Sequence, residues 1–173
     1  MQTGVPDLGH SGLIRHSGFV ILVSMPSVLH RSLDRLGLVL PPTPKPVASY
    51  IPAKKIGQLI YVSGQLPMRE GKLMCTGPVP SKVSLEDAQA AAQQCVLNGI
   101  AAAMSVGEIR GVVRVGVFVQ SDHGYAEQPK VANGASDLLL ELLGDNGRHA
   151  RAAVGSNALP LDASVEVEFV FHE

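Results

Sequence analysis

Two hydrophobic periods run along the chain, and their order predicts its architecture. Near the C-terminus Val165, Val167, Phe169 and Phe171 alternate strictly with Glu166, Glu168 and Val170. That is the period of a strand with one face on a core. Residues 111–119 alternate in the same way, with Val113, Val115, Val117 and Val119 on one side and Arg114, Gly116 and Phe118 on the other. Short β-prone runs at 49–51 and 59–63 flank Lys54-Lys55-Ile56-Gly57 and read as a hairpin. Residues 64–67 end its second strand, a loop rich in Gly, Pro and Lys continues to Lys82, and residues 147–154 read as one more strand.

The helical period takes over elsewhere. Ala88, Ala92, Cys95, Gly99 and Ala103 recur on one stripe, widened by Leu85, Val96 and Ile100. Ser84 before them offers an N-cap acceptor with Asp87 at the third helical position, and the helix should end near Met104. Pro129 suits a first helical turn, and Val131, Ala135, Leu138, Leu139 and Leu142 then form one face closed by Gly144. Leu140 and Leu143 fall off that stripe and imply a further contact. A shorter amphipathic helix over 27–36 runs through Leu29, Leu33 and Leu36 to Gly37. The prolines from Pro41 to Pro46 then require an extended connector.

Strand pair, helix, strand, helix and two strands make an α+β fold, a mixed sheet with two helices packed on one face. The other face would carry Ile60, Val62, Val112, Phe118 and Val170. So apolar a face should not stay wet, which predicts a homo-oligomer. At 173 residues the chain is one domain by size. Residues 1–24 read as a disordered N-terminal extension, and their apolar run from Phe19 to Val23 is far too short to span a bilayer. Met25 looks like a natural start, 25–46 hold the short helix and proline-rich lead-in, and 47–173 form the domain.

Composition narrows the function classes. Fourteen basic residues against fifteen acidic ones, interleaved, leave a net charge of −1 and no electrostatic footprint for nucleic acid. Tryptophan is absent, so the core must be built tightly from small side chains. Cys75 and Cys95 show no disulfide framework, and Cys95 falls on the apolar helical stripe as a buried free thiol would. Two free thiols fit the cytoplasm. The six histidines have no metal-ligand spacing with one another or with cysteine, and no metal is expected.

The chemistry gathers at the end of the chain. Glu166 and Glu168 share one strand face about 7 Å apart, and Arg151 lies on what reads as the neighbouring strand. A fixed guanidinium beside a carboxylate can grip a small acid and steer a water at it. A surface salt bridge at a sheet edge accounts for the same pattern.

More of the chain carries a resemblance. Ser63-Gly64-Gln65-Leu66-Pro67 after an apolar strand, Asn133 in the second long helix, Ala150-Arg151-x-x-Val154, Leu159-Pro160 and Val165-Glu166-Val167-Glu168 stand in an order and spacing that resembles the Rid family. These are the reactive intermediate deaminases, also labelled YjgF or L-PSP endoribonuclease. The resemblance runs from about Val47 to Phe171 and rests on the ordered set, since each piece alone is weak. It implies a chorismate-mutase-like subunit and a homotrimer with ligand clefts between neighbours. The implied activity is hydrolysis of 2-imino or enamino acids to 2-oxo acids and ammonia, with no cofactor. Arg151 would bind the substrate carboxylate and Glu166 would position the attacking water, while Tyr50, Ser63, Gly64 and Asn133 would line the cleft.

The chain departs from that pattern at Ala153, where many family members carry a cysteine. Catalysis must then use direct water attack, and Ala153 could serve only through its main chain. The connection from Asn133 to Arg151 is a residue longer than in the best-known members, and the proline-rich lead-in is added. Each position also has a plainer explanation. In it Tyr50 packs as a β-strand residue, Ser63 serves a turn, Asn133 bonds a carbonyl, His149 is structural and Glu168 pairs at an interface. Two other functions stay open: an endoribonuclease or translation inhibitor, which the neutral charge and scarce aromatics disfavour, and a non-catalytic binder of small carboxylates.

Overall fold

The structure is a computed structural model that describes residues 13–16, 19–22, 27–43 and 49–173, with side chains described from residue 27 on. Strands β1 (Leu13–His16) and β2 (Phe19–Leu22) pair antiparallel. The rest of the expected extension, and Met25, lie outside the described residues. Helix α1 (Val28–Leu36) starts at Ser27, whose hydroxyl accepts from the His30 N–H, and stops at Gly37 in the left-handed region, φ 63°.

Strands β3 (Ala53–Ile56) and β4 (Leu59–Gln65) form the expected hairpin, shifted from the expected register. Residues 49–51 are not a strand; Lys54 and Lys55 are strand residues, and Gly57-Gln58 make the turn, with Gly57 at φ 60°. The segment before β3 is instead fastened from the side, with the Ser63 N–H donating to the Pro52 carbonyl at 3.0 Å. The loop after β4 contains a second small hairpin, β5 (Met68–Arg69) and β6 (Lys72–Leu73). Helix α2 (Leu85–Met104) has the expected bounds, capped by Ser84 accepting from the Asp87 N–H at 3.0 Å. Strand β7 (Gly111–Gln120), helix α3 (Gln128–Leu143), strand β8 (Ala150–Ser156) and strand β9 (Val165–His172) complete the chain.

The main sheet has the order β3-β4-β9-β7-β8, with only β7 and β8 parallel, and α2 and α3 pack on one face of it. Two expectations change here. Strand β8 begins at Ala150, after a 3-10 turn over Gly144–Gly147, and it is not the neighbour of β9, because β7 runs between them. A parallel pair needs a crossover, and α3 supplies it between β7 and β8. Residue 113 also changes sides. Val112 pairs with Phe171 and Arg114 with Val170, so Val113 is the extra residue of a bulge: Val112 is buried and Val113 is 42 % exposed.

The core lies between sheet and helices. Ile60, Val115, Val117, Val119, Val165, Val167, Phe169 and Phe171 meet the buried faces of α2 and α3. Helix α1 packs on α3, burying Leu29 and Leu33, and Arg35 donates to the Glu141 carbonyl at 3.2 Å. Of the two leucines off the expected stripe, Leu143 is buried in the core and Leu140 is partly buried. Small residues set the helix spacing. A Cβ on Gly134 would lie 2.4 Å from the Gln89 carbonyl oxygen, backbone that cannot swing aside. Gly134→Ala should therefore destabilise the protein by about 1–3 kcal/mol, read from urea unfolding midpoints. No measurable shift would mean that α2 and α3 are not so closely apposed.

The uncovered face differs in detail from expectation. Ile60 and Val62 belong to the core because they pair with the core-facing Phe171 and Phe169, and Val112 does because the bulge in β7 puts it on the helix side. Phe118 and Val170 do face outward, half-buried, joined by Tyr61 at 45 % and Val154 at 47 % exposure. Among the described residues no helix is long and apolar enough to cross a membrane.

Candidate functional site

Arg151 sits on the edge strand β8, opposite core-facing Val115 in the register, and so points to the helix side beside α3. Its Nη1 donates to Asn133 Oδ1 and to Ser136 Oγ, both at 3.0 Å. The chain of bonds continues: Ser136 Oγ lies 3.0 Å from His149 Nε2, and His149 Nδ1 lies 2.6 Å from the Gly147 carbonyl. A carbonyl only accepts, so Nδ1 carries a proton; in the neutral ring Nε2 then accepts from Ser136, and the Ser136 oxygen accepts from Arg151. The exposed guanidinium is thus held on one nitrogen, and no bond is described on its Nε–Nη2 edge. That edge is the shape that grips a carboxylate. Ser136 went unnoticed in the sequence. It lies one helical turn after Asn133 on α3, and its place in the site comes from the bonds to Arg151 on β8 and to His149 just ahead of that strand.

Ala153 lies two residues on from Arg151, partly buried and packed against the core. With a methyl there, position 153 itself offers main-chain polar groups only.

Glu166 belongs to a different wall. It pairs with Phe118 in the register, alternating with buried Val165 and Val167, so it faces the uncovered side of the sheet. The bulge in β4 sets Ser63 and Gly64 opposite Glu168. Gly64 is thereby brought so close to Glu166 that a Cβ there would lie 1.7 Å from Glu166 Oε1. Ser63 Oγ donates to the Ile51 carbonyl at 2.8 Å, and the buried Gln65 amide donates to the Ser63 carbonyl at 2.8 Å. These bonds fasten the segment that carries Tyr50, itself half exposed. Ser63, Gly64, Tyr50 and Glu166 therefore form one surface. Glu168 does not share its role: it accepts from Arg114 at 2.7 Å across β7 and β9, at a half-exposed ion pair worth little to stability.

Burial pushes the Glu166 carboxyl above its ordinary value of 4.5, and the nearby Glu168 charge adds to the rise. The folded protein then holds this proton more tightly than the unfolded chain does. The resulting stabilisation is fully present below pH 4.5 and is lost as pH rises through the raised folded value. Wild type should lose stability relative to Glu166→Gln as pH rises from 4.5 through the raised folded value, measured by denaturant titration at each pH. A difference that stays flat or grows with pH would contradict this.

Within one copy Arg151 and Glu166 do not meet. They lie on opposite faces, on strands separated by β7, which alone sets them about 10 Å apart across the sheet.

Residues 31–173 match the YjgF/chorismate mutase-like, putative endoribonuclease family. The chain belongs to that family. Among relatives of this YjgF-family chain is protein TCP17 of Trypanosoma cruzi, 40 % identical over 142 residues, 79 % of this chain and 89 % of that protein. A 2-iminobutanoate/2-iminopropanoate deaminase of Dermatophagoides farinae is 29 % identical over 132 residues, covering 75 % and 90 %. A solved structure of a protein of unknown function from Agrobacterium tumefaciens is 43 % identical, with a TM-score of 0.74 over 84 % of this chain and 91 % of that one. The YjgF-type architecture, a mixed sheet with its helices on one face, is therefore shared by sequence and by structure.

Proposed function

We propose that this protein hydrolyses small 2-imino or enamino acids to 2-oxo acids and ammonia, as a homotrimer whose clefts pair Arg151 of one copy with Glu166 of the next. The observation that carries the reading is the division of the site into two walls that face away from each other. The Arg151 wall presents the free edge of a guanidinium, the Glu166 wall presents a half-buried carboxylate, and within one copy the two do not meet. A second copy, set against the uncovered apolar face, supplies what each lacks. The deaminase name of one relative supports the reaction class.

The chemistry asks for no redox change. The substrate carboxylate lies on Arg151, which turns the imine carbon toward Glu166. Water adds its oxygen to that carbon, Glu166 accepts the water proton, and the electron pair of the C=N bond moves to nitrogen, which takes that proton from Glu166. The tetrahedral adduct then collapses: its hydroxyl proton passes by way of Glu166 to the amino nitrogen, C=O forms, and the C–N bond breaks with its electron pair on nitrogen to release ammonia. A raised Glu166 pKa suits both halves, because the same group takes a proton and returns it. With alanine at position 153, beside Arg151, the attack falls to water.

The test is release of ammonia and 2-oxo acid from imines generated by an amino-acid oxidase. Wild type should accelerate it, and equal rates for wild type and Arg151→Ala would remove the assigned role. Light scattering after size exclusion should give three copies, and a stable monomer at micromolar concentration would refute the shared cleft. RNA cleavage, which the family description suggests, finds less support in a chain of net charge −1. The two free thiols suit a reducing compartment such as the cytoplasm.

A further inference from the structure

Arg151 is exposed on an edge strand, yet its guanidinium is held in one place. Both described partners are neutral oxygens, Asn133 Oδ1 and Ser136 Oγ, and among the described residues it joins no ion pair. Its charge is therefore left for a ligand. Neutral partners can hold so long a side chain only if they are themselves held. Asn133 and Ser136 ride on α3, but a hydroxyl still turns about its C–O bond until something sets it.

His149 sets it. A serine inside a helix ordinarily gives its hydroxyl hydrogen to a carbonyl one turn back. The bonds described on Ser136 Oγ run outward instead, to Arg151 Nη1 and to His149 Nε2, each at 3.0 Å. His149 can take the hydroxyl hydrogen because its Nδ1 donates to the Gly147 carbonyl at 2.6 Å, which leaves Nε2 as the acceptor of the neutral ring. That carbonyl belongs to a fixed turn. Gly147 is buried, and a Cβ there would lie 2.3 Å from the Leu139 carbonyl oxygen, so the turn ahead of β8 rests on the backbone of α3. Helix α3 thus carries Ser136 at one point and, at another, braces the turn that orients the histidine. With its hydrogen on His149, the Ser136 hydroxyl shows Arg151 only lone pairs.

We propose that His149 is a positioning residue of the carboxylate grip: by taking the Ser136 hydrogen it keeps the Ser136 oxygen open to Arg151, and so aims the guanidinium. This rests on the reading of Arg151 as the group that binds the substrate carboxylate. Without an acceptor at Nε2 the hydroxyl turns back to its own helix and draws its oxygen off Arg151. The guanidinium then keeps one of its two bonds, to Asn133, and swings. The carboxylate is bound less tightly, while Glu166, on the other face of the sheet, is untouched. The defect therefore falls chiefly on KM and on the affinity for the oxo acid.

Two substitutions separate the two bonds of the ring. In His149→Gln the side-chain oxygen reaches the place of Nε2 and still accepts from Ser136. In His149→Asn the shorter amide keeps the bond to Gly147 and leaves Ser136 without an acceptor. Calorimetric titration with 2-oxobutanoate should show binding about fourfold weaker for His149→Asn and within about twofold of wild type for His149→Gln. Ser136→Ala should also lose about fourfold, and adding His149→Asn to it should cost nothing more, because the two act through one chain of bonds. In imine turnover KM should rise in step, with kcat lowered by less than about twofold. Nitrogen-15 NMR of the wild-type histidine rings, under mildly alkaline conditions, should find the His149 proton on Nδ1. Equal losses for the two His149 variants, losses that add in the double variant, or a proton on Nε2 would overturn the assignment and leave Arg151 as the grip. Wild-type affinity in Arg151→Ala, or no binding by wild type, would remove the grip and the role of His149 with it.

Discussion

Gly64→Ala should lower kcat by about a hundredfold while the protein stays folded. The added methyl would fall 1.7 Å from Glu166 Oε1 and 2.7 Å from its Cδ, a separation that no atoms tolerate. What must yield is the end of a flexible side chain on an open face, so the rearrangement costs little stability. Gly64 itself sits in a bulge at ordinary φ, so alanine brings no backbone strain. The carboxylate, however, leaves the place where it can meet a water, and a general base displaced by an ångström or more loses most of its effect. Kinetics on the oxidase-generated imine, beside a thermal melt, would separate the two consequences. Activity close to wild type would show that Glu166 is not the base in this position. A collapse of the melting temperature would show that the bulge, and not the carboxylate, needs the glycine.

The elements were legible because the apolar periods are long and unambiguous. Helix α2 repeats its stripe over five turns and α3 over four, and β9 alternates without a fault, so type and bounds followed directly. Faults arose where one residue was inserted. The bulge at Val113 leaves the sequence alternating while the structure does not, because the extra residue pairs with nothing. Ile60 and Val62 were set on the wrong face because nothing in a short hairpin says which side its alternation turns to the core. Strand order was hidden too. Arg151 and Glu166 are fifteen positions apart, which suggested neighbouring strands, but α3 carries the chain across β7 to the sheet edge before β8 begins. The ordered motifs single out candidate residues by type, but the sheet face each one occupies, helix side for Arg151 and uncovered side for Glu166, depends on strand order and register. Ser136 had no motif to mark it. Its part depends on a hydrogen-bond chain running from α3 to β8, which no local pattern encodes.

Arg151→Lys should lower kcat/KM by about a hundredfold, chiefly through KM, although charge and fold are kept. The guanidinium is held by Asn133 and Ser136 on Nη1 alone, so its opposite edge presents two parallel N–H groups at a fixed angle. An ammonium reaching the same place would be a single point donor. It would have to choose between Asn133, Ser136 and the substrate, and would fix neither the plane of the carboxylate nor the direction of the imine carbon. Losing one charge-assisted bond and its geometry is worth about 2–3 kcal/mol, which sets the hundredfold figure. Because Arg151 is exposed on an edge strand, stability should change by less than about 0.5 kcal/mol. Ser136→Ala would then be the milder form of the same defect, leaving the fork in place but free to swing, and should raise KM only several-fold. Titration with a 2-oxo acid, followed by thermal shift, gives the binding half of the comparison without turnover. If Arg151→Lys binds the oxo acid as wild type does, the carboxylate is held elsewhere and the Arg151 wall is a structural edge; if it binds weakly while Ser136→Ala keeps most of the affinity, the grip belongs to the guanidinium and the helix only aims it.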